Sequence, residues 1–193
     1  MKPFRAPLSL LLSAVWLFLF CPQVSARESG SPIRSLTVGS DPAGGVRATA
    51  TLLFPAPPAL VQSLLTDYHK WPELFEVRIR LAGVQERQGK VVTDLYIEHR
   101  LMPGERRLVC ESEALPGGGL VTDLKSGDFK RYHRVWKLTS VNGGTQTEAD
   151  FELVVEIETI VPDWLVALAM RRELEAHFRI VRDRVLERVQ KGR

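Results

Sequence analysis

Residues 162–189 read PDWLVALAMRRELEAHFRIVRDRVLERV and form the longest unbroken periodic segment of the chain. At about 100° per residue, Ala167, Met170, Leu174, Phe178, Val181, Val185 and Val189 fall in one apolar stripe, while Arg171, Glu175, Arg179 and Arg182 lie to one side of it. The pattern predicts a long helix laid on a sheet with its other face in water. Pro162 suits the first turn, where its missing N–H is no loss, and Asp163 complements the positive end of the helix dipole. Glu175 stands four residues before Arg179, a spacing that supports an exposed helical face. The first two turns differ, because Trp164, Leu165, Val166, Leu168 and Ala169 make them apolar on nearly all sides. Something besides a sheet is expected to cover that end, with Trp164, Leu165 and Leu168 closing a cavity mouth or making transient contact with a membrane or partner.

Upstream, residues 35–38 and 46–54 flank the turn-rich stretch 41–45 and read as a hairpin whose second arm is the first main strand. Pro55, Pro57 and Pro58 end that strand, and a short helix over 59–66 follows. A bend with a second helical turn is expected over 67–75. From residue 77 the period changes to two, which places strands near 77–86, 89–100, 105–114, 119–125, 129–139 and 145–157. Gly or Pro stands at each junction, Pro103 and Gly104 among them, so the strands form an antiparallel meander. The last strand puts Thr147, Ala149, Phe151, Leu153 and Val155 on one face and Glu148, Asp150, Glu152 and Glu156 on the other, so one sheet face is buried. The fold class is α+β, a curved antiparallel sheet around a long carboxy-terminal helix.

The amino terminus reads as a leader. Lys2 and Arg5 precede an uncharged apolar run over 8–20, and Val24-Ser25-Ala26 supplies the small residue a signal peptidase requires, so residues 1–26 are a signal peptide cut after Ala26. An uncleaved membrane anchor is the alternative. The expected product is exported and periplasmic, with a leader and hairpin arm over 27–45 and a domain over 46–190. Cleavage lowers the formal net charge from +3 to +1, which gives no basis for a nucleic-acid partner. Of two cysteines only Cys110 remains, on a strand and half-buried, so no intramolecular disulfide is available.

Four features between Val46 and Val189 resemble the START-like or SRPBCC superfamily, in particular its polyketide cyclase and coenzyme Q-binding branch. They are the Pro57-Pro58 helix start, the bend from Asp67 to Pro72 ending in Phe75, Trp136-x-Leu138 followed by Gly143-Gly144-Thr145, and the passage from Phe151 through Pro162-Asp163-Trp164-Leu165. The resemblance implies a helix-grip fold with a cavity for a hydrophobic ligand between sheet and helix. On that implication Met170, Leu174 and Phe178 line the cavity or pack as core, and Phe75, Leu95, Ile97, Trp136, Leu138, Phe151 and Leu153 join them as ligand contacts.

The histidines lack metal-ligand spacing, and no Walker, dinucleotide or nucleophile-elbow motif is present, so neither metal nor cofactor is expected. His133, Tyr132 and His99 are candidates for acid–base work, although nothing in the sequence pairs the histidines with an orienting carboxylate. Arg131 and Arg134 are candidates for a ligand head group. The leading reading is an exported, non-catalytic protein that binds or transfers a lipid, quinone or isoprenoid-like molecule. A cyclase or dehydratase acting on a polyketide-like substrate is the first alternative, and a structural or assembly partner without ligand the second.

Overall fold

The structure is a computed structural model that describes residues 30–102 and 104–191. The signal reading of residues 1–26 and the turn at Pro103 lie outside the described residues. Eight strands form one antiparallel sheet: β1 (Ile33–Ser40), β2 (Val46–Phe54), β3 (Arg78–Arg87), β4 (Lys90–Glu98), β5 (Glu105–Ala114), β6 (Gly119–Gly127), β7 (Phe129–Val141) and β8 (Gln146–Ile157). Their order across the sheet is β1-β2-β8-β7-β6-β5-β4-β3. The meander from β3 to β8 therefore ends beside β2, with Val46 opposite Val155 and Phe54 opposite Thr147. A short helix α1 (Pro58–Leu65) and a 3-10 segment (Tyr68–Leu74) make the crossover, and the long helix α2 (Asp163–Lys191) closes the chain.

Alternation decides which sheet face the helix covers. Val46, Ala48, Ala50, Leu52 and Phe54 are buried while Arg47 and Thr49 are exposed, and β8 repeats this with Thr147, Ala149, Phe151 and Leu153. Register sets small against large, with Ala48 opposite Leu153, Ala50 opposite Phe151 and Leu52 opposite Ala149. Such pairing lets the carboxy-terminal half of α2 approach closely, and Phe178, Val181 and Val185 are fully buried there. The Glu175–Arg179 pairing expected from spacing is corrected: Glu175 faces Arg171 at 3.8 Å and Arg179 reaches Glu76 at 3.8 Å.

The crossover is pinned by polar contacts that decide where its aromatic residues stand. The Gln62 amide clamps β6 twice, accepting from Gly119 N–H at 2.6 Å and donating to Gly119 C=O at 3.0 Å. Gly119 has φ of +113°, and a Cβ there would meet the Trp136 carbonyl oxygen at 2.0 Å, so only glycine fits. Trp71 Nε1–H donates to Leu65 C=O at 2.9 Å, and Arg188 of α2 reaches Asp67 at 2.8 Å. These contacts hold Trp71 and Phe75 under α2.

The apolar start of α2 is not covered. Trp164 is 67% and Leu168 60% exposed, and Ile160 just before them is fully exposed, so the expectation that Trp164 and Leu168 close a cavity mouth is corrected. Val166, Ala169 and Met170, from the opposite side of the same turns, face the sheet instead.

Candidate functional site

Between α2 and the sheet lies a cavity of about 200 Å³. An apolar cavity of about 150 Å³ is already large enough to hold benzene, so this one accepts an organic molecule. Leu95 and Ile97 of β4, Leu108 and Cys110 of β5, Tyr132 and Arg134 of β7, and Leu153 and Val155 of β8 form the sheet side. Met170, Glu173, Leu174 and His177 form the helix side, and Trp71 and Phe75 close the floor. His99, Leu101, Met102 and Thr159 make a half-buried rim.

Six of the ten expected ligand contacts thus lie on the cavity: Met170, Leu174, Phe75, Leu95, Ile97 and Leu153. The expectation that Phe178, Trp136, Phe151 and Leu138 line it is corrected, because these pack against one another or their neighbours on the far side of Leu174 and His177. Phe178 meets Phe151 edge-on at 5.1 Å and Trp136 at 5.8 Å, and Trp136 meets Phe151 at 4.8 Å.

The polar candidates separate by strand parity. Tyr132, Arg134, Trp136 and Leu138 share the concave face of β7, whereas Arg131 and His133 do not. Arg131 ties the β1–β2 turn, reaching Asp41 Oδ1 at 3.1 Å and the Gly44 carbonyl, and takes no part in the cavity. His133 lies 2.6 Å from Asp123 with both side chains substantially exposed, which supplies the orienting carboxylate absent from the sequence reading but places it outside the cavity. His99 stays at the rim, where its Nδ1 accepts from Leu101 N–H at 3.1 Å and its Nε2 stands 3.8 Å from Glu173.

His177 is among the cavity-lining residues that sequence reasoning missed, with Trp71, Leu108, Cys110, Val155 and Glu173. Its Nδ1–H donates to the Leu74 carbonyl at 2.7 Å, its ring stacks on Phe75 at 4.3 Å, and it is 3% exposed. A signal was present: positions 170, 174, 177 and 181 follow the i, i+4, i+7, i+11 spacing of one helical face. Burial lowers its pKa to about 4, opposed by the Leu74 hydrogen bond, so it is neutral near pH 7. Burial likewise pushes the Tyr132 phenol and the Cys110 thiol up to about 12, with the Arg134 charge opposing both. Each group is moved away from the working range of a general acid or base.

Cys110 is a buried free thiol, at 1% exposure. With a thiolate fraction on the order of 10⁻⁴ at pH 8, its reaction with an aromatic disulfide reagent should be at least about 100-fold slower in the native protein than in urea. Comparable native and denatured rates would mean that the cavity opens widely to solutes.

A curved antiparallel sheet gripping a carboxy-terminal helix over an apolar cavity defines the helix-grip class of START-like proteins. Within it, the chain belongs to the polyketide cyclase/dehydrase and lipid transport family, whose model matches residues 45–190. No curated protein matches the sequence. Among solved structures, a STAR-related lipid transfer protein from Xanthomonas axonopodis is similar at TM-score 0.63 and 12% identity, covering 82% of this chain and 96% of that one. A protein from Thermus thermophilus is similar at TM-score 0.60 and 20% identity, covering 73% and 97%. The Zhui aromatase/cyclase from a Streptomyces species is similar at TM-score 0.58 and 13% identity, covering 80% and 96%. At these identities the likeness is one of fold.

Proposed function

We propose that this is an exported, non-catalytic protein that binds or transfers a small hydrophobic molecule in the cavity beneath α2. The observation that carries the reading is the cavity itself, a void of about 200 Å³ walled almost wholly by apolar side chains within an otherwise packed core. A ligand burying about 300 Å² of apolar surface gains roughly 7 kcal/mol at 25 cal/mol per Å², before the costs of association. Met170, Leu174, Phe75, Leu95, Ile97 and Leu153 are its proposed contacts. A lipid, quinone or isoprenoid-like chain suits such walls. The exposed Ile160, Trp164 and Leu168 beside Thr159 and Val166 of the wall support transient contact with a lipid surface during loading. Export rests on the signal pattern of residues 1–26.

A cyclase or dehydratase in the same cavity draws support from Tyr132 and His177, which face it, and from the kinship in fold to an aromatase/cyclase. It is disfavoured because burial moves both groups out of the range where they exchange protons near pH 7. The cavity also counts against a filled-core assembly partner.

Native mass spectrometry of the protein purified from the envelope fraction of its own cells tests the reading. The expected result is a chain starting at Arg27 with a bound apolar molecule that dissociates on activation. A product retaining Met1 overturns cleavage, and an empty chain that takes up no apolar probe overturns ligand binding.

A further inference from the structure

The apolar-ligand reading leaves one cavity group unexplained. Arg134 is 6% exposed and lines the cavity, yet no carboxylate among the described residues forms an ion pair with it. Its Nη2 donates to Thr122 Oγ1 at a long 3.4 Å, and its buried Nε–H has no hydrogen-bond partner. The guanidinium carbon lies over the Trp71 ring, 4.5 Å from its centroid, and apart from the long bond to Thr122 no hydrogen bond from its N–H groups is seen among the described residues. Register sets Ser112, Thr122, Arg134 and Leu153 in one row across four strands, so the charge stands at the end of a short polar track on an apolar wall.

The neighbouring cavity groups do not neutralise it. His177 gives its Nδ1–H to Leu74, and Tyr132, two residues along on the same face, keeps its phenol proton. Glu173 sits at the rim, 3.8 Å from His99, with its side chain 34% exposed. Among the described residues Arg134 is therefore the one arginine or lysine lining the cavity, and the one carboxylate lining it, Glu173, is partly exposed and forms no ion pair with it. Burying such a cation without a counter-ion is costly, and an occupant that brings one negative charge offsets that cost. A neutral alcohol leaves the cation unmatched, and a phosphate monoester leaves a second negative charge buried. A planar monoanion fits the guanidinium fork with two parallel hydrogen bonds.

We propose that the occupant is an apolar monocarboxylate, its carboxylate held by Arg134 and its chain lying along Leu95, Ile97, Met170 and Leu174. The inference rests on the ligand-binding reading above and adds the chemical class of the head group.

Displacement of Nile red, a neutral apolar dye, from the whole chain by decanoate and by decanol at pH 7.5 tests it. Decanoate is expected to bind at least tenfold more tightly than decanol. Arg134→Met should abolish that preference, read as the ratio of decanoate to decanol affinity on the same variant, and Arg134→Lys should retain part of it. Because loss of the contact with Trp71 can unfold a variant, the wild type supplies a second readout: the carboxyl carbon of bound ¹³C-labelled decanoate should titrate below its free value, as pairing with a buried cation requires. Equal affinity for decanol and decanoate, or a bound carboxyl titrating above its free value, overturns the head-group assignment and leaves ligand binding standing. Failure of Nile red, decanol and decanoate all to bind overturns both.

Discussion

Phe178→Ala is expected to destabilise the protein by about 3–5 kcal/mol, the range for deleting a phenylalanine from a close-packed core. The ring is fully buried, with Phe151 at 5.1 Å and Trp136 at 5.8 Å, so truncation leaves a void that rigid aromatic neighbours cannot fill. Met170→Ala, two turns earlier on the same helical stripe, should cost less than about 2 kcal/mol, because part of its side chain already faces empty space. Urea unfolding of the two variants beside wild type measures the contrast. Affinity for an apolar dye should move the other way, falling for Met170→Ala and holding for Phe178→Ala. A loss under about 2 kcal/mol for Phe178→Ala would mean that the void extends past Leu174 into the aromatic cluster.

Between pH 7.5 and pH 5 the protein is expected to lose about 2 kcal/mol of stability through His177 alone. The folded pKa of about 4 lies below the ordinary value of 6.5, so the unfolded chain binds a proton first as pH falls. Stability from this group is complete above pH 6.5, declines through the interval from 6.5 to 4, and falls no further below it. The carboxylates of Asp41, Asp94 and Glu111 are held below their usual range by backbone or cationic partners and add their own losses at lower pH. The difference between wild type and His177→Gln removes those common losses, since glutamine can still donate to the Leu74 carbonyl. Urea midpoints at both pH values should show the variant losing about 2 kcal/mol less than wild type. Parallel losses would mean that His177 is already charged in the folded protein.

Arg134 and Arg131 illustrate how far a strand's parity could be read without coordinates. Both stand in the run Arg131-Tyr132-His133-Arg134, and by composition they are equivalent. Arg134 shares its parity with Trp136 and Leu138, which points it toward the core, whereas Arg131 falls with the charged face. The same reasoning places Tyr132 inward and His133 outward, as observed. What parity could not supply is the absence of an acidic partner at Arg134, because that depends on which residues of β6 and β8 stand opposite it.

Local periodicity by itself determined the elements of this protein: the strands over 46–54 and 105–114 coincide with β2 and β5, and the stripe of α2 was legible from Ala167 to Val189. Alternation and the 3.6-residue repeat are properties of neighbouring residues, so they survive in one dimension. The pairing of β2 with β8, which joins Val46 to Val155, belongs to the tertiary structure, since a hydrogen-bonded ladder leaves no mark in either strand of which partner it will take. So does the division of one helical stripe into cavity and core. Met170 and Phe178 look alike in sequence, but across the gap between the sheet and α2 Phe178 meets Phe151 at 5.1 Å and Trp136 at 5.8 Å, whereas Met170 faces the cavity. Only packing across that distance decides which apolar side chains touch each other and which are left facing a space.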